Sequence, residues 1–262
     1  GDTAISRDVT IEQLLIMTSG IADWFEESED WEATWTQVCR EHPVFLLRDN
    51  TEFLPLFAYK APLAAPGERF QYSNSSFILL GMAIARASGI PYFDYVRRHV
   101  FAPSRMETAD FVALDDIANN VAEGYSPLAG GGWRKNIYRA TPTAAADGGV
   151  TAAAEDLHRF LAALRGSTLI GPESTQALFT PQVFDCDVPE RGYRSMHGYG
   201  HFFLLDAAGA MVRLGRPGEE DGASCRLFVY PQQELDVVIL GNLSECAGAV
   251  GWAIHDMIMA EE

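Results

Sequence analysis

The chain has 262 residues, enough for one large domain or two interleaved ones, and its 48% hydrophobic and 11% aromatic content suits a packed globular core. Its 36 acidic against 19 basic residues leave a formal charge of -17, with Lys60 and Lys135 the only lysines, so a nucleic-acid backbone is repelled. Cys39, Cys186, Cys225 and Cys246 show neither Cys-x-x-Cys nor Cys/His spacing, so neither a zinc site nor a disulfide framework is implied, and no cofactor is expected.

In chain order, "DVTIEQLLIMTSGI" predicts a short helix with Thr10 as N-cap, Gln13 three residues on, and Gly20 as the stop. A Trp-rich acidic segment (Trp24, Trp31, Trp35) follows, then "NTEFLPLFAYK" with Asn50 or Thr51 as cap, and the loop "APLAAPGER". "SNSSFILLGMAIARASGI" reads as an almost wholly apolar, buried helix, too broken by Arg86 and Gly89 to span a membrane. "PYFDYVRRHVFAP" is a more amphipathic helix with Pro91 at its first position. After the turn-rich "SPLAGGGWRKN", the run "TPTAAADGGVTAAAEDLHRFLAALRG" ends in a helix that stops at Gly166. The pattern then changes: "HGYGHFFLL", "GAMVRLG", "ASCRLFVYP" and "LDVVILGN" are short β-rich runs between turns, an antiparallel meander, closed by the helix "ECAGAVGWAIHDMIMA". A helical body before a sheet is an α+β layering.

Tyr72 and Asn74 stand in "QYSNSS" at a helix start, where Asn is by itself an ordinary N-cap. Together with "TIEQLLIMTSGI", "GGVTAAAEDLHRFLAAL", "HGYGHFFLL" and "GRPGEEDGASCRLFVYPQQELDVVILGN", in that order, they resemble the penicillin-recognising serine hydrolases, the branch of class C β-lactamases, DD-peptidases and β-lactamase-fold esterases. The resemblance covers nearly the whole chain and implies a helical lobe (about 10–145) beside a sheet with flanking helices (about 146–262) in one domain, the active site lying between them.

The family works with a Ser-x-x-Lys nucleophile, a Tyr-x-Asn phenol that serves as base, and a Lys-Thr-Gly or His-x-Gly strand that supplies a cation and an oxyanion-hole N–H. Tyr72 and Asn74 match the second motif. Aligning Gly215, Gly222, Ser224 and Pro231 places Arg216, Pro217 and Gly218 on the third. Arg216 keeps the positive charge but cannot shuttle a proton, and Pro217 suits only an open strand edge. A surface turn leading to Glu219 and Glu220 reads equally well there. The resemblance thus implies Tyr72, Asn74 and Arg216 as catalytic, with Gly218 and Glu219 binding a small-molecule substrate; Trp133, on the Gly-rich "GGGWRK" loop, either lines the same substrate cleft or, the more ordinary role, anchors the loop.

Neither lysine has a serine three residues before it, and only nine residues precede "TIEQLL". The expectation is therefore a fold missing its N-terminal part: either a hydrolase without its nucleophile segment or a naturally shortened, inactive relative that binds a ligand or protein. Such a loss exposes the apolar faces of "SSFILLGMAIA" and "AGAVGWAIHDMIM", which repacking or a homodimer covers. His197 and His201 read as strand residues without a metal partner. No signal peptide is visible in a chain that opens at Gly-Asp, which slightly favours the cytoplasm.

Overall fold

The computed structural model describes residues 2–26 and 30–260. The helical lobe opens with α1 (Ile11–Leu15), held by the expected capping box: Thr10 accepts from the Gln13 amide and the Gln13 side chain accepts from the Thr10 N–H. This helix ends at Leu15, before Gly20, and Met17 takes a positive φ of 55° in the turn. Helix α2 (Trp31–Glu41) starts at an Asp30 cap and stacks Trp31 on Trp35 with ring centroids 5.8 Å apart. In α3 (Asn50–Phe57) the cap is Asp49, paired with Glu52 in a second capping box, rather than Asn50 or Thr51.

Helix α4 (Asn74–Ser88) is capped by Ser73, so Asn74 occupies the first helical position, and it stops at Gly89 with φ 70°. Helix α5 (Tyr92–Val96) begins with Pro91 in the capping position and runs into a π-helical turn, Arg97–Phe101. No single helix among the described residues is long and apolar enough to cross a membrane. A small hairpin joins β1 (Tyr125–Pro127) to β2 (Trp133–Lys135). Helices α6 (Ala154–Arg165) and α7 (Pro172–Leu178) lead into the sheet.

That sheet is an antiparallel meander in the order β3-β4-β5-β6-β7-β8. Its strands are β3 (Val183–Val188), β4 (Tyr193–His197), β5 (Phe202–Leu205), β6 (Met211–Glu220), β7 (Ala223–Tyr230) and β8 (Leu235–Gly241). Helix α8 (Cys246–Met259) packs on β7 and β8. The "GRPGEE" stretch is thus the second half of a long strand, not a surface turn. β5 pairs with β6 only as far as Gly215, so Arg216 to Glu220 bond to β7 alone and leave an open edge on the other side. That edge is why Pro217 is tolerated inside a six-stranded sheet.

The apolar wall expected along α4 does not exist. Ile78 is fully buried beside Phe53, Phe57, Leu14 and Trp24, and Leu79, Leu80 and Met82 pack against the same cluster. The residues ahead of α1 join the lobe as well, Ala4 donating its N–H to the Ala58 carbonyl at 2.7 Å. The helical lobe is therefore built with its N-terminal elements in place, against the expectation of a lobe stripped of them. On α8 the inner face is covered at Ala247, Gly251 and His255, while Val250 and Met257 remain exposed.

Candidate active site

The head of α4 is fixed from below. Gln71 donates its N–H to the Met17 carbonyl at 2.8 Å and Gly67 to Thr18 at 2.7 Å, which aligns the segment before the helix along the exit of α1. Asp23, 5% exposed, then gathers the helix start: one carboxylate oxygen accepts from the Asn74 N–H (2.8 Å) and Nδ2 (3.0 Å). The other accepts from the Ser75 N–H (2.9 Å), Ser75 Oγ (3.0 Å) and the Trp24 N–H (2.8 Å). A carboxylate at a helix N-terminus meets both unpaired amides and the positive end of the dipole. Burial nevertheless pushes the Asp23 carboxyl above its ordinary range, opposed by these hydrogen bonds. Lys60 Nζ donates to the Asp23 backbone carbonyl at 2.6 Å.

With Nδ2 tied to Asp23, the Asn74 Oδ1 is left facing the phenol, and Tyr72 Oη donates to it at 3.1 Å. From the sheet, Arg216 Nη2 donates to the same Tyr72 oxygen at 3.1 Å, with the guanidinium carbon 5.4 Å from the centre of the Tyr72 ring and 5.0 Å from that of Phe202. The structure therefore brings Tyr72, Asn74 and Arg216 into one hydrogen-bonded row between the lobe and the sheet.

The other expected site residues are placed differently. Gly218 lies two residues beyond Arg216, where a Cβ would meet Cys225 Sγ at 2.6 Å. Glu219 is turned to its own sheet, in an ion pair with Arg226 at 2.7 Å and accepting from Ser224 Oγ at 2.8 Å. Trp133 is 58% exposed on β2, opposite Pro127, and no hydrogen bond or ring contact among the described residues joins it to Tyr72. His197 closes β4 as expected, whereas His201 sits in the turn before β5.

The serines near the phenol serve the fold. Ser73 Oγ caps the Ser76 amide at 3.2 Å, Ser75 Oγ accepts from the Trp24 N–H at 2.7 Å, and Ser76 Oγ meets Ser19 Oγ at 2.8 Å, all three serines being buried. Sequence reasoning missed Asp23 and its neighbour Asp147. Trp24 Nε1 donates to Asp147 Oδ2 at 2.9 Å, and burial pushes that carboxyl up to about 7, with the nearby Asp23 charge adding to the effect. The signal available was thin: single acids in "GIADW" and "AADGG", the former three residues after Gly20 and the latter directly before Gly148.

The family model described as "Beta-lactamase" matches residues 2–252. Penicillin-binding protein 4* of Bacillus subtilis (strain 168) is 27% identical over 255 residues, 91% of this chain and 52% of that protein, so the chain spans about half the length of this curated relative. Among solved structures, a penicillin binding protein from Bacillus halodurans superposes with a TM-score of 0.86 at 32% identity, over 96% of this chain and 73% of that one. A D-stereospecific amidohydrolase from Streptomyces sp. shares the fold, with a TM-score of 0.74 at 20% identity over 92% and 72% of the two chains. The match begins at residue 2 and takes in the capped helices α1 and α3, which corrects the expectation of a helical lobe stripped of its N-terminal elements. It also removes the ground for reading the chain as an inactive binding module.

Proposed function

The chain belongs to the beta-lactamase family, and from that premise we propose that it serves acyl transfer to water, opening an ester, an amide or a β-lactam in the cleft between the helical lobe and the sheet. One observation carries the reading: the phenol of Tyr72 is held between the Arg216 guanidinium and the Asn74 amide oxygen. Once its own proton is released, the phenolate so placed takes a proton from an attacking hydroxyl and, as the phenol, returns it to a leaving group; the guanidinium stabilises the phenolate charge before the first transfer and after the second. Arg216 also offers a planar fork to a substrate carboxylate, a geometry an ammonium does not have. The buried, engaged hydroxyls of Ser73, Ser75 and Ser76 are not assigned the attack. The cleft takes a small molecule. The names of the relatives, a penicillin-binding protein and a D-stereospecific amidohydrolase, support β-lactams and D-amino-acid amides as the first compounds to try. Exposed Val250 and Met257 on α8, with Leu240 on β8, support self-association as a homodimer, which light scattering reads directly.

The test is hydrolysis of a chromogenic cephalosporin, a p-nitrophenyl ester and a D-amino-acid anilide by the protein expressed as its gene encodes it. Turnover of at least one, reduced about 100-fold or more in Tyr72→Phe, is the expected result, since a positioned acid–base group contributes about 10²–10⁴. Equal rates with and without the phenol hydroxyl, or no turnover of any class, would overturn the proposal.

A further inference from the structure

Behind the Arg216 guanidinium lies a buried group with no part in the acyl-transfer reading. His197 has 0% exposure, and neither of its ring nitrogens has a hydrogen-bond partner among the described residues. Its ring stands edge-on to Phe202 with centroids 4.8 Å apart and tilted against Phe70 at 5.2 Å. Arg216 packs over the same Phe202 ring. While its Nη2 serves Tyr72, its Nη1 is buried and has no hydrogen-bond partner among the described residues.

The charge is as incomplete as the hydrogen bonding. No carboxylate among the described residues forms an ion pair with Arg216, and Glu219, three positions on along the strand, is committed to Arg226. Among the described residues of a protein with a net charge of -17, a half-buried guanidinium thus stands without a salt-bridge partner. Buried donors and charges are costly unless something answers them.

We propose that a small inorganic anion of halide size sits between Arg216 Nη1 and the His197 ring. The sign follows from the surroundings. The guanidinium repels a metal ion, and among groups that face the site, Tyr72 already accepts from Arg216 and gives its own proton to Asn74. Burial, and then the charges of Arg216 and His201, hold His197 down at about 3, so at neutral pH its ring is an uncharged donor rather than a second cation. His201, also held low by burial and Arg216, stacks on Phe179 and adds no charge. The size follows from burial, because an occupant in contact with a ring of 0% exposure has no path for a bulky group.

Crystals grown in sodium bromide test this in the resting protein, without substrate, so the result is independent of whether the cleft hydrolyses anything. Expected is one anomalous peak in contact with both Arg216 Nη1 and His197. In solution, chloride raises the thermal midpoint more than gluconate at equal ionic strength, and His197→Phe, which fills the space with an apolar ring, removes the difference. A map showing water alone, or a direct Arg216 to His197 hydrogen bond with nothing between, would overturn the proposal, as would identical midpoints in chloride and gluconate. Should His197→Phe fail to fold, the bromide map on the unaltered protein decides.

Discussion

Arg216 donates a hydrogen bond to Tyr72 across 144 positions of sequence, joining the open end of β6 to the head of α4. The fork of the guanidinium makes that bond while leaving further N–H groups for a ligand. Arg216→Lys is therefore expected to keep the charge but raise KM for a carboxylate-bearing substrate about tenfold, which is ~1.4 kcal/mol. Steady-state kinetics on the substrate that turns over fastest reads it. An unchanged KM would mean that Arg216 meets the substrate only as a point charge.

Gly215 sets where Arg216 points. Its φ is 149°, and a Cβ there would lie 1.9 Å from the Leu227 carbonyl oxygen, a contact with backbone that no side-chain movement relieves. Gly215→Ala is expected to lower stability by about 3 kcal/mol, the scale of a severe backbone clash, with activity falling further than the loss of folded protein explains. Urea unfolding and specific activity per folded molecule, measured together, separate the two effects.

Asp23 holds five donors at the start of α4. Removing the carboxylate leaves buried N–H groups unsatisfied, each a loss of about 1–3 kcal/mol. Asp23→Ala should cost about 3 kcal/mol in urea unfolding, and Asp23→Asn, which keeps one acceptor oxygen, clearly less. Equal losses for the two would show that the hydrogen bonds at the second oxygen carry the effect alone.

Asp147 gives the protein a pH dependence of definite sign. Burial raises its carboxyl to about 7, above the value of about 4 in an unfolded chain. Between these values the folded protein holds a proton that the unfolded chain has released, so the stability this group contributes falls as pH rises from about 4 to about 7. Asp147→Asn removes the titration. Its urea midpoint should gain on the unaltered protein steadily through that window and level off above it, and a gap that stays constant from pH 4 to pH 8 would refute the raised value.

The capping box at Thr10 and Gln13 was legible because its partners lie three residues apart, and the closing meander because its strands follow one another with short turns. The hydrogen-bonded pairing of Tyr72 with Asn74 follows from two positions of separation at a helix start, although that spacing alone is equally a helix cap. What failed was long-range. That Ser73 caps α4 in place of Asn74 depends on Asp23, which claims the Asn74 amide from 51 positions away. Glu219 looked available for substrate until the register of β6 on β7 set it beside Ser224 and Arg226. The expectation of a missing N-terminal part follows from two lysines with no serine three residues before either. The helices that pack Leu14, Phe53 and Phe57 around Ile78 show instead a lobe that covers its own core.

The most direct measurement is a double-mutant cycle on kcat/KM with Tyr72→Phe, Arg216→Ala and the pair together. If the guanidinium acts through the phenol oxygen it touches, the second substitution costs little once the first is made, and the coupling reaches about 1 kcal/mol or more, as for groups in one hydrogen-bonded network. Losses that simply add would contradict the claim that Tyr72 and Arg216 form a single catalytic unit.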